Sequence, residues 1–121
     1  MTIKELSLRI HKNSTEKGFW VNDNFAEKLM LVVTELSEAT EADRIGKTCS
    51  HDLAFDLLNC EDETFLKLFE QEIKGTVEDE LADAVIRLMD ICAYHRINLE
   101  AQVKVKMRYN KTREYLHGKK Y

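Results

Sequence analysis

Two pairs of acidic residues have the spacing of a metal site built on helices. Glu35 and Glu38 are three positions apart, and so are Glu80 and Asp83. Because each residue of an α-helix turns by about 100° around the axis, the two acids of a pair lie about 60° apart on one face. Two such helices packed antiparallel would aim four carboxylates at one point.

Four carboxylates in a small volume need a positive charge to neutralise them. Carboxylates held close together repel one another and are costly to bury. Divalent cations that prefer oxygen ligands remove this cost, and Mg²⁺ is the usual one. Bound Mg²⁺ also orients phosphate oxygens and lowers the pKa of its water. The two acidic pairs therefore predict a Mg²⁺ site, with Mn²⁺ as a substitute.

The sequence around the acids favours this interpretation over a solvated acidic face. Glu35 and Glu38 directly follow residues 29–33, a run that is apolar on all sides of a helix and is expected to be buried. Asp90 is expected to join the site or to pair with Arg87. On the helix that carries Glu80 and Asp83, the side opposite the acids is apolar: Leu81, Val85, Leu88, Met89 and Cys92. The solvated face is still the alternative, because 33% of the residues are charged.

A basic segment follows near the C-terminus. Residues 104–120 contain seven lysines and arginines but only one acid, Glu114. Lys106, Asn110 and Arg113 share a helical face, and cations with an amide suit a polyphosphate and its attached sugar or base. Contact with nucleic acid is one alternative, against which the net charge of −4 argues. A solvated helix whose cations favour its C-terminal end is the other.

Helices are the elements that must position these residues. The chain has no proline, so long helices are not interrupted. Four helical stretches are predicted, over residues 2–17, 24–46, 76–95 and 98–116. Each begins at a residue suited to helix capping: Thr2, Asn24, Thr76 and Asn98. One or two short amphipathic helices are predicted within residues 47–75, so the fold class is all-α.

Length and composition exclude several classes of protein. A chain of 121 residues favours a single domain, 1–121. No apolar run is long enough to span a bilayer, and the N-terminus does not look like a signal peptide, so a cytoplasmic location is expected. Three cysteines without a C-x-x-C pair argue against a zinc site or a disulfide framework.

Taken together, the motifs resemble the MazG-like family of all-α nucleotide pyrophosphohydrolases. The family pattern is E-x-x-E, a spacer, E-x-x-D, and then a helix with K-x-x-x-N-x-x-R. Here the three motifs are Glu35-Leu36-Ser37-Glu38, Glu80-Leu81-Ala82-Asp83, and the segment from Lys106 through Asn110 to Arg113. The early KGFW and the closing NKTREYLHGKKY are similar to a subgroup of this family.

The resemblance implies a fold, a reaction and a set of residues. The fold would be a bundle of four main helices with a short helical insertion, assembled as a homodimer or homotetramer. The reaction would be Mg²⁺-dependent hydrolysis of a (deoxy)nucleoside triphosphate to the monophosphate and pyrophosphate, as in house-cleaning of the nucleotide pool. The catalytic, metal-binding residues would be Glu35, Glu38, Glu80 and Asp83. Substrate contacts would come from Lys106, Asn110, Arg113 and, as a surface for stacking on the base, Trp20.

Two departures from the family pattern accompany the resemblance. Residues 47–75 make the spacer between the acidic motifs long, and this insertion would be a lid, a substrate-selecting element or an oligomer contact. Glu114 stands where related tails often carry proline. Two other functions stay open from the sequence: a non-catalytic nucleotide-binding or scaffold protein of the same fold, and a small helical partner protein. No membrane and no nucleic-acid partner is expected.

Overall fold

The structure, a computed structural model, describes all residues from Met1 to Tyr121 and is entirely helical. The six α-helices are α1 (Ile3–Glu16), α2 (Phe25–Arg44), α3 (His51–Leu57), α4 (Asp62–Leu68), α5 (Val77–Tyr94) and α6 (Leu99–Lys111). A π-helical turn over Phe69–Ile73 follows α4, and a 3₁₀ turn over Tyr115–Gly118 follows α6. The prediction of an all-α fold is confirmed. No helix has the length and apolar character needed to cross a membrane.

The predicted helix starts are confirmed by their capping hydrogen bonds. The backbone N–H of Glu5 donates to the Thr2 hydroxyl (3.1 Å), and the Glu5 carboxylate accepts from the Thr2 backbone N–H (2.7 Å). This pair is a capping box. The side chains of three further residues each accept from the backbone N–H three positions later: Asn24, Thr76 and Asn98. Local chemistry therefore sets where these four helices begin.

The C-terminal end of α6 differs from the sequence prediction. The helix ends at Lys111 and not near residue 116. The Thr112 hydroxyl donates to the carbonyl of Tyr109 (2.7 Å), and Glu114 is extended, with φ −70° and ψ 171°. Arg113 therefore lies beyond the end of the helix, so it does not continue the helical face of Lys106 and Asn110.

The chain divides into two compact units, which are named here by their place in the sequence. The terminal unit contains Met1–Asn22 and Met89–Tyr121, and in it α1 packs against α6. The central unit is Asp23–Leu88 and contains α2, α3, α4 and the first part of α5. A single domain over the whole chain stays a prediction.

Residues 29–33 of α2 are less buried than their apolar run predicts. Val32 is buried, but Met30 is 59% exposed and Val33 is 47% exposed. The expectation that this segment is buried on all sides is wrong for the single chain. A chain of this length has too few residues to bury a long helix on every side. Exposed apolar residues instead follow two helical stripes: Leu29, Val33 and Leu36 (the α2 stripe), and Leu81, Val85 and Leu88 (the α5 stripe).

Candidate metal centre

Three glutamates of the central unit converge on one point. One carboxylate oxygen each from Glu35, Glu38 and Glu80 lies within 4.8 Å of the others. The first two come from α2 and the third from α5, so both acidic motifs contribute. Glu35 is buried, Glu80 is half-buried and Glu38 is exposed. The cluster is therefore open to solvent on one side, as a site that binds and releases a ligand needs to be.

The start of α5 holds Glu80 in place. Thr76 is 1% exposed, and its hydroxyl both donates to the carbonyl of Ile73 (2.7 Å) and accepts from the backbone N–H of Asp79 (3.2 Å). The backbone N–H of Glu80 donates to the carbonyl of Thr76 (3.1 Å), which closes the first turn. A buried cap thus fixes the turn from which Glu80 extends.

The surroundings of Glu80 raise the pKa of its carboxyl to about 7. The largest cause is burial, which disfavours the charged carboxylate, and the next are a hydrogen bond with Glu38 and the negative charge of that residue. Glu35 and Asp79 act in the same direction. Glu80 therefore lies in surroundings that disfavour its charged form.

Asp83 lies near the cluster but is not one of the three converging residues. Burial raises the pKa of Asp83, the negative charges of Asp79 and Glu35 raise it further, and the positive charge of Arg87 lowers it. The structure therefore brings three of the four predicted ligands together. The fourth, Asp83, is close enough for the negative charges of Glu35 and Glu38 to raise its pKa.

Arg87 is part of this centre in a way that sequence reasoning missed. Its Nε donates to Oε1 of Glu35 over 2.6 Å, and the Glu35 side chain is only 8% exposed. The expectation that Asp90 joins the site or pairs with Arg87 is not met: the hydrogen bonds of Asp90 are to His11 and Trp20. Helical spacing places Arg87 on the same face of α5 as Glu80 and Asp83, but it does not indicate Glu35, on another helix, as the partner.

Trp20 belongs to a polar and aromatic cluster of the terminal unit. Its indole N–H lies 3.0 Å from both carboxylate oxygens of Asp90 and 3.1 Å from the Ser14 hydroxyl. Its ring stacks on Tyr94, with 4.1 Å between centroids and 4° between planes. Nδ1 of His11 lies 2.7 Å from the same Asp90 carboxylate. Trp20 therefore packs within this unit, and stacking on a nucleobase stays a prediction.

The predicted phosphate-binding residues lie around one tyrosine of the terminal unit. Lys106 and Asn110 line an open depression along α6 of about 410 Å³. Nζ of Lys106 lies 4.9 Å from the Tyr109 ring centroid, and the Arg113 guanidinium lies 5.6 Å from it. Oδ1 of Asn110 is buried without a hydrogen-bond partner. An unpaired buried acceptor costs stability.

Comparison of the chain with protein-family models, curated proteins and solved structures finds no match. The geometry of the site therefore carries the functional argument.

Proposed function

We propose that this protein is a Mg²⁺-dependent nucleoside triphosphate pyrophosphohydrolase of the MazG-like kind. The observation that carries the proposal is the convergence of Glu35, Glu38 and Glu80 from two helices within 4.8 Å. The close approach of like charges is costly, and a bound cation would offset that cost. Carboxylate oxygens are the ligands that a small hard cation such as Mg²⁺ prefers.

The residues of the centre fit such an ion by their chemistry. When bound, Mg²⁺ would neutralise the carboxylates, orient phosphate oxygens and lower the pKa of a water molecule. Glu35, Glu38 and Glu80 would hold it, and Asp83 would complete the set from the next turn of α5. In the proposed reaction a water oxygen bonds to the α-phosphorus, the bond from that phosphorus to the α–β bridging oxygen breaks, and the water proton passes to solvent. The products are a nucleoside monophosphate and pyrophosphate.

The substrate contacts form the second part of the proposal. Lys106 and Arg113 would stabilise the charge of the phosphates, and Asn110 would contact the nucleotide. Asn110 lines the same open depression as Lys106, which supports a shared role. The resemblance also implies Trp20 as a surface for base stacking, although its ring already stacks on Tyr94.

Assembly into a homodimer or homotetramer is supported by the α2 and α5 stripes. The side chains of both stripes are 38% to 49% exposed. Contiguous exposed apolar surface is uncommon on monomers and marks an interaction site. A second copy of the chain is the partner that the resemblance implies.

One observation favours the alternative, a non-catalytic nucleotide-binding or scaffold protein of the same fold. Arg87 already supplies a positive charge to Glu35, at 2.6 Å. With Glu80 protonated near neutral pH, the cluster has a way to exist without a metal.

The test is turnover. The purified protein is incubated with Mg²⁺ and a panel of canonical and modified (d)NTPs, and pyrophosphate release is followed. We expect conversion of at least one triphosphate to its monophosphate, with loss of activity in Glu38→Gln. The matched control is Glu41→Gln, one turn further along α2 and outside the cluster. No turnover of any triphosphate, together with tight nucleotide binding, would transfer support to the non-catalytic alternative.

A further inference from the structure

The insertion 47–75 is tied at both ends to the first turn of α5. The backbone N–H of Val77 donates to the carbonyl of Lys47 (3.0 Å), and that of Cys49 donates to Oε2 of Glu78 (3.1 Å). At the other end, the backbone N–H of Gly75 donates to Oδ2 of Asp79 (2.8 Å). The turn of α5 that receives these bonds directly precedes Glu80. The insertion is therefore anchored beside the metal centre.

Between the insertion and α5 lies a cavity of about 270 Å³. Most of its surface is apolar and includes Phe65 and Phe69, whose ring centroids are 5.7 Å apart. Ala54 and Ala82 line it from α3 and α5. Its size and its aromatic wall suit one planar ring system.

The polar part of the cavity comes from α5. Its charged lining side chains are Glu78 and Asp79. Asp79 lies in the first turn of α5, directly before Glu80 in the chain, so the cavity and the acidic cluster share this turn. A carboxylate accepts more than one hydrogen bond, so both side chains can accept from a donor on a ligand as well as from the backbone.

We infer that this cavity receives the heteroaromatic base of the nucleotide whose phosphates bind at the metal centre. The inference rests on the proposed function for the position of the phosphates at the metal centre. It places the base in this cavity and not at Trp20. A nucleotide has an apolar planar end and a metal-bound polyphosphate end, and the central unit offers an apolar aromatic cavity beside an acidic metal centre. The carboxylates in the cavity are acceptors, which suits a base with an exocyclic amino group. The insertion is then the substrate-selecting element.

The first test is binding of nucleosides, which lack phosphates and need no metal. Adenosine and cytidine are titrated into protein with ¹³C-labelled alanine methyl groups in EDTA. We expect saturable shifts of Ala54 and Ala82, which line the cavity, and none at Ala93 of the terminal unit. In the cavity-filling variant Ala54→Phe, the nucleoside-induced shift of the Ala82 methyl group is expected to disappear. Its far-UV circular dichroism and the remaining methyl signals report that it is folded.

The second test is kinetic and separates the base from the phosphates. Methyl triphosphate carries the same scissile bond without a base. In Ala54→Phe we expect kcat/KM for the nucleoside triphosphate to fall by about tenfold or more, since stacking of one base contributes about 1–3 kcal/mol. Hydrolysis of methyl triphosphate should stay within about twofold of wild type.

Failure of the inference is distinguishable from failure of the proposed function. Nucleoside-induced quenching of Trp20 fluorescence without shifts at Ala54 and Ala82 would place the base at Trp20 and overturn the inference. If the signals of the Ala54 and Ala82 methyl groups shift with protein concentration and not with nucleoside concentration, the cavity is occupied by a second copy of the chain. That result also overturns the inference. A wild-type protein that hydrolyses no triphosphate but binds nucleosides at Ala54 would overturn the proposed hydrolase and keep the base cavity.

Discussion

The Nε of Arg87 donates a 2.6 Å hydrogen bond to Oε1 of Glu35, the most deeply buried carboxylate of the cluster. An arginine from α5 thus compensates the charge of a buried glutamate from α2. Removal of one partner of a buried ion pair leaves the other charge unsatisfied, which is costly. The pair therefore contributes to the stability of the central unit.

Arg87→Met is expected to destabilise the metal-free protein by about 2 kcal/mol, because it removes a hydrogen bond to a charged and buried group. Mg²⁺ is expected to restore part of this loss by neutralising Glu35. Urea unfolding in EDTA and in Mg²⁺ measures both effects. The control is Arg44→Met, whose pair with Glu41 spans 3.6 Å between side chains 74% and 66% exposed and should contribute little. Equal losses in the two variants would contradict the role assigned to Arg87.

The raised pKa of Glu80 predicts that the metal-free protein loses stability as pH rises. The carboxyl titrates near 7 in the folded protein and near 4.5 in the unfolded chain, so the folded state binds the proton more tightly. Its contribution to stability is full below about pH 4.5 and is lost as pH rises through about 7. Urea unfolding in EDTA at pH 5, 6, 7 and 8 measures it, and Glu80→Gln should flatten this part of the profile.

Mg²⁺ should reverse the dependence of stability on pH that Glu80 causes, because metal binding requires an ionised carboxylate. The protein in Mg²⁺ is expected to be more stable than in EDTA at pH 8 and to gain much less at pH 5. A gain from Mg²⁺ that is the same at both pH values would argue against Glu80 as a ligand.

Asp90 is expected to stabilise the terminal unit through His11 and Trp20. The Asp90 side chain is 14% exposed and accepts from the indole N–H at 3.0 Å. Asp90→Asn keeps the volume but removes the charge, so a loss of about 1–3 kcal/mol is expected, with a shift in the emission of the single tryptophan. Ser14→Ala, which removes only one of the indole's acceptors, is the matched control and should cost less. Unchanged stability in Asp90→Asn would contradict a structural role.

A charge in either apolar stripe is expected to disrupt the proposed oligomer. Val33→Asp in the α2 stripe and Val85→Asp in the α5 stripe place a carboxylate where apolar surface would be buried between copies. Light scattering after size exclusion should show a smaller mass for both variants. Val21→Asp, at a side chain that is already 87% exposed, is the control and should leave the mass unchanged. A monomeric wild-type protein would overturn the proposed assembly.

Local sequence chemistry determined much of the fold. The starts of α1, α2, α5 and α6 follow from capping residues whose effect acts within one turn, so they could be read from a few neighbouring residues. The pairing of acids at three-residue spacing likewise follows from helical periodicity alone. The end of α6 could not be read in this way, because neither a proline nor an immediate glycine marks the turn at Thr112.

Only the tertiary structure decided which acids meet and what else meets them. Periodicity places Glu80 and Asp83 on one face equally, yet Glu80 joins Glu35 and Glu38 in the cluster and Asp83 does not. The partner of Arg87 was also beyond the sequence, since it is 52 residues away on another helix. Contacts of this kind depend on how helices pack, which one-dimensional patterns do not encode. The sequence by itself thus determined the helices and the chemistry they carry, and packing decided the geometry of the site.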